Sequence, residues 1–165
     1  MIRRGPLAFL RRTRASASSE FALALPMMLP LIFGSMEAGN FFWSQQKLTQ
    51  AVRDGTRYAA RLDYTDVCPS LATGVEANIK NLTRTGQLDG NSYAKLRGWQ
   101  DSQITVTVNC GSFASTGIYE SLGGAGAIVS VEAKGVPYYS ILGQLGVLND
   151  AYKLGASAHA PVIGI

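Results

Sequence analysis

The stretch EFALALPMMLPLIFGSMEAGNFFWSQQKLTQAVRDGTRYAA, residues 20–60, holds two helical patterns that pass into one another without a break. Phe21 to Met36 is an apolar run of 16 residues, and continuing through Glu37 to Trp43 gives 23 residues with one internal charge. At 1.5 Å per residue the longer span measures about 35 Å, enough to cross a bilayer with some tilt. Phe41, Phe42 and Trp43 are then expected at the far interface as an aromatic belt. From Phe41 the apolar or small positions are Phe41, Ser44, Leu48, Ala51, Gly55, Tyr58 and Leu62. These alternate steps of three and four, the seam of an amphipathic helix, and Val52 and Ala59 widen it. Residues 16–43 thus read as a transmembrane segment and 44–62 as its amphipathic continuation, one rod of about 65 Å from Glu20 to Leu62 if straight. Pro26 and Pro30 are expected to kink or locally unwind its first turns.

A cleaved secretory signal also begins with positive charge and an apolar stretch. Its cleavage site is missing here, because ending the segment at Ala38 or Gly39 puts Met36 or Glu37 where a small residue is needed. The retained helix is the better reading.

The chain has 165 residues, 47% hydrophobic and only 16% charged, against about 25% charged in an ordinary soluble domain. That length suits one modest domain plus an appendage. The net charge of +4 is not spread evenly: Arg3, Arg4, Arg11, Arg12 and Arg14 crowd a basic leader, residues 1–15, that holds no acid. Such a cluster keeps an N-terminus in the cytoplasm and sends the chain beyond the membrane segment to the other side. It leaves no basic face for nucleic acid in the rest of the chain. The only histidine, His159, rules out a His-rich metal site, and Cys68 and Cys110 lack CxxC spacing. No catalytic residue, metal or cofactor is expected.

Residues 63–165 read as a small periplasmic α+β domain. Val75 to Leu82 looks helical, and Gly86 with Asp89-Gly90-Asn91 supplies the turn that ends it. Gln103 to Val108, Ala127 to Ala133 and Leu154 to Val162 alternate apolar and polar residues as half-buried strands. Three such strands with long returns suggest an antiparallel sheet against the upper part of the long helix. Val136 to Leu148 is apolar without clear periodicity, either cover for the core or a patch facing another subunit. Gly123 to Gly126 reads as a turn rather than a phosphate loop. His159 falls on the polar face of its strand. In an oxidising compartment Cys68 and Cys110 are candidates for a disulfide, whose loop of about 40 residues contributes roughly 4 kcal/mol in the chain-entropy model.

The Arg-rich leader, Glu20-Phe21, the apolar run with Pro26, Phe33-Gly34-Ser35-Met36-Glu37-Ala38-Gly39 and Ala51-Val52-Arg53-Asp54-Gly55-Thr56-Arg57-Tyr58-Ala59-Ala60 together resemble the TadE/TadG-like family. These are pseudopilin-like proteins of the bacterial tight-adherence (Flp, type IVb) pilus system. The resemblance covers about Arg11 to Ala60. It implies a leader cut by a prepilin peptidase between Ala15 and Ser16, which makes Glu20 the fifth mature residue and Phe21 the sixth. The family prefers glycine before the cut, where this chain has Ala15.

A carboxylate at the membrane edge is costly unless paired, so Glu20 suits a new N-terminal amine in its own or a neighbouring subunit. It also suits helix capping, with Ser18 or Ser19 as the N-cap. Glu37 lies either at the outer headgroups or between packed helices. Gly34 and Ala38 form a small-xxx-small face for helix packing. Arg53, Arg57 and Arg61 make a stripe that reads as a solvated face.

The expectation is a single-pass bacterial inner-membrane protein, cytoplasmic at its N-terminus, that helps assemble or prime a pilus by helix packing. The resemblance implies other pilin or pseudopilin subunits, prepilin peptidase and the inner-membrane assembly platform as partners, beside membrane lipid. An unprocessed membrane anchor acting as a periplasmic adaptor is the alternative. A secreted small enzyme is a third reading that lacks a usable His dyad.

Overall fold

The computed structural model describes residues 14–111, 126–147 and 152–163. Along the chain run α1 (Arg14–Ala60), α2 (Tyr64–Val67), α3 (Val75–Thr85), a 3-10 turn (Asp101–Gln103), β1 (Ile104–Asn109), β2 (Ile128–Pro137), α4 (Ile141–Gln144) and β3 (Lys153–Pro161). The fold is α+β, a long N-terminal helix followed by a three-stranded antiparallel sheet. The chain divides into two compact units, residues 1–39 and 40–165.

In the first unit, α1 is unbroken through Pro26 and Pro30, so the expected unwinding does not occur. The prolines are four residues apart, which puts both missing N–H groups on one face and leaves the hydrogen-bond ladder intact on the others. Because α1 begins at Arg14, Ser18 and Ser19 lie inside the helix and neither is its N-cap.

In the second unit the seam from Ser44 onward is buried. Leu48, Ala51, Val52 and Ala59 are fully enclosed, with Thr56 and Ala60 beside them. They join a core with Ile79 of α3, Val129, Val131 and Val136 of β2, Trp99 and Leu154. Phe41 turns toward this core, its ring 5.3 Å from that of Tyr138 and edge-on to it. Only Phe42 and Trp43 of the expected aromatic belt are exposed.

Helix α3 crosses α1 at Gly55, where a β-carbon would come within 1.9 Å of Thr83 Oγ1. The Thr83 hydroxyl donates to the Ile79 carbonyl at 2.7 Å. Gly86 ends α3 in the left-handed conformation at φ 86°, its N–H donating to the Leu82 carbonyl. That is the glycine C-cap.

The sheet order is β1-β2-β3. Val106 pairs with Val131 and Val108 with Val129, so the alternating valines share one face. Strand β2 runs past Ala133 to Pro137, four residues longer than its alternation suggests. Ala133 pairs with Ala156 and Val136 with Leu154, so Lys134 and Gly135 oppose Gly155 alone. This is a β-bulge, with Gly135 at φ 72° supplying the left-handed residue. The bulge interrupts the period of two and hides the strand's continuation from a pattern reading.

Strand β3 is tied to α1. Gln45 Nε2 donates to the Gly155 carbonyl at 2.7 Å, and the Ile163 N–H donates to the Ala60 carbonyl at 2.8 Å. His159 is on the exposed face of β3, 2.7 Å from Ser130 Oγ. The apolar segment from Val136 divides: Val136, Tyr138 and Ser140 are buried, Leu145 and Val147 are exposed, and Leu148 lies outside the described residues. Of the Gly123–Gly126 turn, residues 123–125 lie outside the described residues, as does most of the basic leader.

Candidate membrane and assembly helix

The apolar half of α1 is long and apolar enough to cross a membrane, and none of its most apolar stretch is covered by protein. Phe21, Leu23, Met27 and Leu31 are all more than 60% exposed. Nothing in the sequence compensates this exposure with charge, since Glu37 is the only ionisable residue between Phe21 and Trp43. Water does not stabilise such a surface; hydrocarbon or other apolar helices do.

Gly34 and Ala38 lie on this exposed part of the helix. A β-carbon at Gly34 would meet nothing within 4 Å, and the same holds for Gly39. The helix backbone is therefore open to close approach along that stretch. Glu20 is exposed and Glu37 half-buried. Ala15 and Ser16, the expected processing site, fall in the first turn of α1.

Outside the apolar run, Cys68 and Cys110 form a disulfide with Cα atoms 5.9 Å apart. It joins the residue after α2 to the residue after β1, so a sequence separation of 42 is closed beside the core. Arg53 and Arg57 are exposed on α1, and Arg61, just past its end, is exposed as well. Arg53 and Arg57 border a shallow depression with Thr56 and His159. Among the described residues no group of three or more His, Cys, Asp or Glu side chains is placed to hold a metal ion.

One site has no counterpart among the sequence motifs. Lys47, Lys95 and Arg97 line a groove of about 260 Å³ with Asn40, Trp43 and Tyr139. Lys47 Nζ lies 3.9 Å above the Trp43 ring, and the Arg97 guanidinium lies 4.8 Å from the Tyr139 ring centre. Lys95 pairs with Asp54 at 3.4 Å. Asn40 Nδ2 anchors the floor, donating to Tyr138 Oη and to the Tyr139 carbonyl. Lys95 and Arg97 flank buried Leu96, a local alternation that signals two cations on one exposed side. Their meeting with Lys47 is a tertiary effect that no local pattern encodes.

No curated protein and no solved structure matches the chain. Residues 15–57 match the family model described as TadE-like protein, a span that takes in the exposed apolar turns of α1 and most of its packed seam.

Proposed function

We propose that the protein is a minor pseudopilin-like subunit that helps assemble or prime a tight-adherence pilus, acting by helix packing and without catalysis. The observation that carries this reading is the abrupt change along α1, from exposed apolar turns to a seam buried in its own domain. The first part needs an apolar environment from outside the chain, and the TadE-like match supports a membrane and neighbouring pilin helices as that environment.

In this reading the basic leader stays in the cytoplasm and the sheet domain is periplasmic. Prepilin peptidase cuts between Ala15 and Ser16, and Glu20 meets an N-terminal amine in a neighbouring subunit as the helix joins the assembly. Gly34 and Ala38 admit the neighbouring helix, and the disulfide holds the outer domain in the oxidising compartment. The inner-membrane assembly platform receives the processed subunit.

Mass spectrometry of the mature N-terminus, beside a Glu20→Gln variant, tests this mechanism. The expected mature chain begins at Ser16, and Glu20→Gln is expected to leave the protein present and cleaved while piliation is lost. Full-length protein in cells with an active prepilin peptidase would instead identify an unprocessed anchor acting as an adaptor. Normal piliation from Glu20→Gln would remove the proposed charge pairing.

A further inference from the structure

The groove lined by Lys47, Lys95 and Arg97 has a composition that asks for an anion. Three cations line it and no carboxylate does. Asp54 compensates Lys95 from outside the groove, at 3.4 Å. Among the described residues, neither Lys47 nor Arg97 has a carboxylate within ion-pair distance. Each instead lies over an aromatic face, which holds a cation in place without consuming its N–H donors. A guanidinium and an ammonium so placed suit the tetrahedral oxygens of a phosphate.

The position of the groove along the chain selects the source of that phosphate. A hydrocarbon core about 30 Å thick that begins at Phe21 takes about 20 helical residues and ends near Asn40. Asn40 through Trp43 then enter the headgroup layer, where Trp and Tyr concentrate. Helical side chains lean toward the N-terminus, and Lys47 does so here, its ammonium reaching back over Trp43. The cation is thus carried toward the lipid rather than away from it.

We propose that this groove binds the phosphate of an anionic phospholipid at the outer face of the membrane, with Lys47, Lys95 and Arg97 as donors and Trp43 and Tyr139 as aromatic walls. The proposal rests on α1 crossing a membrane, as in the preceding reading, and not on leader processing or piliation.

The full chain in nanodiscs of equal phosphatidylglycerol and phosphatidylcholine, released for native mass spectrometry, is the test. Retained lipid is expected to be enriched in phosphatidylglycerol. With about fivefold per cation near a charged surface, Lys47→Gln with Arg97→Gln should lower that enrichment about 25-fold or abolish it. Lys47→Arg with Arg97→Lys should retain most of it, which separates lost charge from lost folding. Arg53→Gln with Arg57→Gln, on the other cationic surface, should leave it unchanged.

Equal retention of the two lipids by the unaltered chain would overturn the proposal. So would loss of the bound lipid to millimolar inorganic phosphate, which would make free phosphate the ligand. A chain that does not enter these nanodiscs would overturn the membrane reading itself, a result distinct from entry without lipid preference.

Discussion

Leu31 and Leu48 stand on the same helix, seventeen residues apart, and have opposite fates. Leu31 is 73% exposed and Leu48 is fully buried. The backbone is helical at both, and the side chain is the same. What differs is the neighbours each seam can recruit. Around Leu48 the apolar positions form a stripe with polar residues behind it, and the stripe finds α3 and the sheet. Around Leu31 nearly every position is apolar, and none of that stretch is covered by protein. A helix apolar all round belongs in lipid or among other helices, and one with a stripe belongs on its own domain.

The largest test of this contrast removes the crosslink of the second unit. Cys68→Ser is expected to destabilise that unit by about 4 kcal/mol, the chain-entropy value for a loop of its size. Membrane association, owed to the first half of α1, should be unchanged. Thermal unfolding followed by near-ultraviolet circular dichroism, alongside membrane fractionation, separates the two. Loss of both together would mean that the two halves of α1 are not independent.

A second comparison uses one substitution twice. Leu48→Ala opens a cavity in a closed core and should cost about 2–5 kcal/mol. Leu31→Ala shortens a side chain that is 73% exposed and should leave unfolding of the second unit within about 0.5 kcal/mol of the parent. Equal losses in denaturant titration would erase the distinction between the two regions.

The finest test is at the crossing of α1 and α3. Gly55→Ala sets a methyl 1.9 Å from Thr83 Oγ1, and a β-branched side chain has few rotamers by which to retreat. Overpacking of this kind costs about 1–3 kcal/mol. Pairing Gly55→Ala with Thr83→Ala should recover part of the loss, and simple additivity in the double-mutant cycle would exclude a direct clash.

Much of this architecture is legible in the sequence because it is local. The step of three and four from Ser44 to Tyr58, the alternating valines of β1 and β2, and Gly86 at the end of α3 are patterns within one turn or one strand. Thr56 and Ala60 fall outside the seam as a pattern because burial here is wider than a strict three-and-four stripe. The extension of β2 escapes the same kind of reading because Lys134 and Gly135 break its period, though the chain merely bulges and continues. Adjacency groups Phe41 with Phe42 and Trp43 at one interface, yet a helix turns neighbours by about 100° and sends Phe41 inward. The cationic groove is out of reach for a different reason. Lys47 and Arg97 are fifty residues apart, and only the packing of the domain makes them neighbours.

The hydrogen bonds between α1 and β3 have a consequence for the order in which the protein is made. The seam of α1 is synthesised early, but Gly155, which accepts from Gln45, and Ile163, which donates to Ala60, lie near the far end of the chain. A chain that emerges N-terminus first therefore carries an amphipathic helix whose cover is incomplete until residues 153–163 have been translated. Formation of β3 becomes the step that completes this cover, so a chain truncated before Lys153 would leave open the part of the α1 face that Gly155 and Ile163 close.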